Sequence, residues 1–153
     1  FIASLTKAVE HELERQLITA TWDLFMDRFP SGGREPIVIE KPPIQSGTPP
    51  TVKYYDDADT LQTWTSTNFL VDYNTRPPRI EPTEAQSWPS SRDTVNAVEV
   101  RFLAGYGDNP DDVPQVLRLA IRQAAKDYYE DGRTGFSEGV MRLLDVERWT
   151  DRV

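Results

Sequence analysis

No cysteine occurs in the sequence. That absence rules out a disulfide scaffold, thiolate metal ligands and a cysteine nucleophile. It fits synthesis in a reducing cytoplasm. Histidine is nearly as scarce, with His11 alone. No apolar run approaches the roughly 20 residues needed to span a bilayer. The opening, Phe1-Ile2-Ala3-Ser4, lacks the basic and then long apolar segments of a secretory signal. It also lacks an initiator Met and lies inside a helical pattern, so a further N-terminal piece is expected ahead of it. Positive charge is short as well: 17 Lys and Arg stand against 25 Asp and Glu, a net charge of −8. Proteins that grip a duplex concentrate cations in a patch, whereas these are scattered. Sequence-specific DNA binding is therefore not expected, although an acidic wall repels DNA and suits a conduit.

What remains is an ordinary globular composition. The chain has 153 residues, 38% hydrophobic and 27% charged. That is too apolar for a disordered chain. The length suits one domain with a core able to fold without disulfides or a metal.

The patterning is α+β. Ile2, Leu5, Val9 and Leu13 recur at helical steps, predicting a helix over 1–17. A β-rich region follows over 18–107. Trp22, Leu24 and Met26 alternate with Asp23 and Asp27 as a half-buried strand. Ile37 and Ile39 form a short strand that stops at Pro42-Pro43. Residues 52–55 and 61–64 flank an Asp-rich turn and predict a hairpin. Phe69, Val71 and Tyr73 mark another strand. Residues 74–96, with four prolines, read as an irregular excursion, with Ile80 in a brief strand. Val98, Val100, Phe102 and Ala104 alternate most regularly of all. Over 108–133, Asp111 or Asp112 is expected to cap a helix with Pro114 in its first turn. Val116, Leu117, Ala120, Ile121 and Ala124 supply its apolar face, and Gly132 ends it. Val140, Leu143 and Leu144 suggest a short helix within a C-terminal segment, 134–153.

Chemistry is hard to find. His11-Glu12-Leu13-Glu14-Arg15 starts like a zinc-protease motif but has no second His one turn later. Asp56, Asp57 and Asp59 lack the glycine and closing Glu of a calcium loop, so a solvated turn is the better reading. Gly105-Tyr106-Gly107 has too few glycines for a dinucleotide fingerprint and no P-loop lysine. It reads as chain reversal. Tyr54, Tyr55, Trp64, Trp88, Tyr128 and Tyr129 are candidates for stacking on sugars or bases. Such residues more often serve as core or interface anchors. No catalytic, cofactor-binding or metal-ligating residue is expected.

Four segments together carry a resemblance. They are Leu17 to Leu24 running on to Asp27-Arg28-Phe29-Pro30; Ile37 to Ile44 leading to Val52-Lys53-Tyr54-Tyr55-Asp56; Trp88-Pro89 with Arg92 and Asn96-Ala97-Val98; and Val100 to Gly107 with Val113-Pro114 and Tyr128-Tyr129-Glu130. In this order they resemble the phage head–tail connector (adaptor) family, whose members are often labelled possible DNA-packaging proteins and also occur in gene transfer agent particles. The likeness spans about 17–133. Similar proteins carry more helix before the first one here.

The resemblance implies a helical connector core with a β-rich insertion, within a single adaptor domain over 1–153. It implies a structural virion protein, not an enzyme. The expected assembly is a homo-oligomeric ring, a dodecamer, in the neck between capsid and tail. It would dock on the portal and meet the next neck or tail protein. Double-stranded DNA would pass through without specific binding, with no membrane and no cofactor involved. The 134–153 segment is expected to be a docking arm for the portal, using Val140, Leu143, Leu144 and Trp149. The alternatives are a tail terminator or head-completion protein, or a carbohydrate-binding or carbohydrate-cleaving β-rich domain using Trp64, Trp88 and the acidic residues.

Overall fold

The computed structural model describes residues 1–132 and 134–148. It has three helices and two antiparallel sheets, an α+β fold. The chain divides into two compact units. The helical unit joins residues 1–19 to 105–153, and the β unit is the continuous insertion 20–104. The sequence reading places the β-rich region over 18–107.

In the helical unit, α1 spans Ile2–Glu12, α2 spans Gln115–Asp131 and α3 spans Glu138–Glu147. The expected first helix runs to 17, but α1 stops five residues earlier. Glu14 takes a left-handed backbone (φ 52°), which no helix interior tolerates. The Glu10 carboxylate then accepts the Leu17 amide at 2.8 Å and the Gln16 side-chain amide at 2.9 Å. Leu17 is still delivered to the core. The helix α2 begins later than expected. Neither Asp111 nor Asp112 caps it, because Pro110–Asp112 forms a separate 3-10 turn. The Asp112 carboxylate accepts the Asn109 amide at 2.9 Å, and Asp111 pairs with Arg118. At the other end Gly132 adopts φ 65° and its amide returns to the Tyr128 carbonyl at 3.0 Å, as its position predicts.

One glycine is fixed by packing. Gly105 has φ 120°, and a Cβ there would lie 2.7 Å from the Ile18 carbonyl carbon and the Thr19 nitrogen. The chain passes so close because Leu17–Thr19 and Gly105–Gly107 pair. Tyr106 donates to Leu17 and Thr19 donates to Gly107, both at 2.9 Å.

In the β unit, the strands are β1 (Ala20–Met26), β2 (Ile37–Val38), β3 (Thr51–Tyr55), β4 (Leu61–Trp64), β5 (Phe69–Asp72), β6 (Arg79–Pro82) and β7 (Val98–Ala104). They form a four-stranded sheet, β1-β7-β3-β4, and a three-stranded sheet, β2-β6-β5. The strand with the clearest alternation, β7, occupies the middle. Its Val98, Val100, Phe102 and Ala104 point into the core, as a period of two requires. Phe29, Trp64 and Trp88 stack there, with Phe29 and Trp88 centroids 5.0 Å apart and nearly parallel.

The C-terminal segment differs from the expected free arm. Val140 and Leu144 are fully buried in the helical core with Val9, Leu17 and Leu117. The apolar face that suggested a docking arm is spent within the chain itself. Trp149 lies outside the described residues.

Candidate assembly surfaces

In the β unit the four-stranded sheet turns one face inward. The cross-strand register assigns the outer rows. One row holds Asp23, Arg101 and Thr51. The next holds Phe25, Glu99, Lys53 and Thr63, and Tyr55 faces Leu61 in the row beyond. Arg101 grips Asp23 with two hydrogen bonds of 2.6 and 2.9 Å and reaches Glu99 at 3.5 Å. These bonds, Arg101 first, hold the Asp23 carboxyl below the usual carboxylate range and raise the guanidinium further. The pairing leaves a charge-balanced centre flanked by apolar side chains. Phe25 is 51% exposed and Leu61 51% exposed. On the sheet's inner side, at the same edge, Trp22 stays 37% exposed, with the Lys41 ammonium 5.3 Å from its ring centroid.

The acidic turn is used internally. Asp56 accepts the amides of Ala58 and Thr60 at 3.0 and 2.9 Å and the Gln62 side chain at 2.8 Å. The Thr60 amide, then Gln62, hold its carboxyl low. Asp57 accepts from the Ser90 hydroxyl at 3.1 Å, and Asp59 pairs with Arg92. Among the described residues no cluster of three or more His, Cys, Asp or Glu is placed to hold a metal. His11 lies on the exposed side of α1 near its end.

Trp64 and Trp88 do not form a sugar platform. Both are buried, their centroids 4.8 Å apart, and the Trp88 indole donates to the Glu35 carbonyl at 2.7 Å. Stacking a glycan there would require opening the core, so this corrects the alternative that relied on them.

In the helical unit, α3 is anchored at both ends. The Ser137 hydroxyl accepts the Val140 amide at 3.4 Å. Arg148 pairs with Glu12 of α1 at 2.5 Å. Arg15, buried, donates to the Tyr106 hydroxyl at 2.8 Å and reaches Glu147 at 3.4 Å. Of the expected docking residues, Val140 and Leu144 face the core and Leu143 is half-buried. The outward apolar residue of α3 is Val146, 72% exposed. The solvent side of α2 carries Leu119, Arg122, Lys126 and Tyr129 at steps of three and four. Tyr128 and Tyr129 form an exposed aromatic cluster with Phe1, whose ring lies 4.4 and 5.1 Å from theirs.

Sequence reading anticipated Tyr55, Tyr128 and Tyr129 as possible interface anchors and missed Phe25, Leu61 and Val146. For Phe25 the signal was present. An apolar residue between Leu24 and Met26 breaks the alternation that a one-sided strand requires. No helix among the described residues is long and apolar enough to cross a membrane.

No protein-family profile matches the sequence, and no curated protein matches it. Solved structures share the fold. One is a chain from the neck of an empty gene transfer agent (GTA) particle computed with C6 symmetry. It has a TM-score of 0.77 and 22% identity over 99% of this chain and 77% of that one. Another comes from the neck of a native GTA particle computed with C12 symmetry, at the same score and identity, covering 81% of that chain. A third, from the virion of a native GTA particle, is matched over 76% of its length.

Proposed function

We propose that this chain is a structural subunit of a virion neck: a head–tail adaptor that assembles as a ring, a dodecamer, in a tailed phage or a gene transfer particle. One side docks on the portal of the DNA-filled head, and the other meets the next neck or tail protein. Duplex DNA passes through the centre without specific contact. The observation that carries the reading is a fold likeness to neck chains extending over 99% of this chain.

The surfaces support the same reading. A ring needs heterologous contacts that close by rotation, and exposed Phe25, Leu61, Tyr129 and Val146 are suited to that use. The charge suits a conduit. The helical unit holds nine Lys and Arg against thirteen Asp and Glu, the β unit eight against twelve, so each carries −4. Neither unit has the net positive charge expected of a domain that retains DNA. Docking on the portal falls to the outward side of α3, around Val146 and Leu143, since Val140 and Leu144 are enclosed.

Removing the gene from a particle-producing strain tests this. Filled heads and free tails should accumulate unjoined, and supplying the chain should restore joining. Joined, infectious particles made without it would contradict the proposal.

A further inference from the structure

Among the described residues the four-stranded sheet ends in two edge strands, β1 and β4. Natural sheets guard such edges with lysine, proline, bulges or short strands. The three-stranded sheet follows that rule. Its edge strand β2 has two residues and lies between Pro36 and Pro42, and its other edge strand, β5, ends in Asp72. The larger sheet does not. The strand β1 is seven residues long with neither lysine nor proline, and β4 has no charged residue and no proline. The one charge on β1, Asp23, is already neutralised by Arg101. The inner face of β1 carries Trp22, Leu24 and Met26, and its outer face carries Thr21, Asp23 and the exposed Phe25.

The topology adds a geometric match. All pairings are antiparallel, so the four strands alternate in direction and β4 runs opposite to β1. Repeating the sheet by a rotation that keeps its outer face outward brings β1 of one copy beside β4 of the next in antiparallel orientation. No turning over is needed. The row Phe25, Glu99, Lys53, Thr63 then continues from copy to copy, and exposed Phe25 meets exposed Leu61 diagonally across the joint. We propose that β1 of each subunit pairs with β4 of its neighbour, a second copy of this chain, so that the ring is closed by a sheet running through every subunit. This rests on the ring reading above and specifies which surfaces close it.

The absence of native cysteine gives a clean test. Phe25→Cys and Thr63→Cys are placed together in one chain, which is assembled into particles and treated with a bismaleimide spanning about 10 Å, two strand spacings. A denaturing gel should show a ladder of linked subunits, and either variant alone should stay monomeric. The pair Phe25→Cys and Leu61→Cys, also exposed positions, repeats the test should Thr63→Cys fold poorly. Dimers from Phe25→Cys alone would overturn the proposal in favour of a two-fold β1 joint. A ring visible in the particle with no ladder from either pair would overturn the edge pairing and leave the ring intact. Particles with no ring of this chain would overturn both.

Discussion

Gly105 shows how tightly single positions are held. Its backbone is left-handed, and a methyl group would strike the Ile18 and Thr19 backbone at 2.7 Å. Gly105→Ala should destabilise the protein by about 2 kcal/mol or more, read from urea unfolding. The carboxylates set the response to acid. Asp23, Asp56 and Asp72 are all held below the ordinary range: Asp23 by Arg101, Asp56 by the Thr60 amide and Gln62, Asp72 by the amides of Thr75 and Asn74. The unfolded chain therefore binds protons that the folded one refuses, so their stabilisation is complete above the unfolded value, about 4, and is lost as pH falls through the lower folded values. The unfolding midpoint should drop below about pH 4, and the triple replacement Asp→Asn at 23, 56 and 72 should flatten that drop. An unchanged acid slope would remove these groups from the account. Such positions were only partly legible. The Asp56 turn follows from aspartate chemistry and Gly132 from its place after a helical stripe, but the need for glycine at 105 arises from a segment some ninety residues away in sequence.

Helices and strands separate what periodicity reveals from what it conceals. The strand β7 was evident from strict alternation, and the β3–β4 hairpin from two apolar runs around an Asp-rich turn. Periodicity also located α3, through Val140, Leu143 and Leu144. It could not say what the face packs against, because an amphipathic helix has the same pattern whether its partner is its own chain or another. Here the partner is its own core. Leu144→Ala should cost about 2–5 kcal/mol, and ending the chain after Gly139 should unfold the helical unit instead of giving a folded subunit that merely fails to dock. Loss of amide protection in α2 of the truncated chain, followed by hydrogen exchange, checks this; retained protection would restore the free-arm view. Val146→Asp, by contrast, changes an exposed side chain and should leave the unfolding energy within about 0.5 kcal/mol while weakening capture by purified portal. Normal capture would move the docking surface elsewhere.

The two units carry equal negative charge, and each exposes apolar side chains of its own, Phe25 and Leu61 in the β unit and Tyr129 and Val146 in the helical unit. The α+β class could be read from the order of elements alone. The assembly could not, because a single chain's pattern records which residues are apolar and not which copy or partner covers them. The resemblance of segments between Leu17 and Glu130 supplied the direction, and the whole-chain fold likeness to neck chains supports it. A density map of the particle's neck, made with a compact tag fused to this chain, decides the matter. The account predicts a ring of tag densities, one per subunit, encircling the channel between portal and tail. Tag density on the tail tube, on the capsid shell or absent from the particle would contradict it.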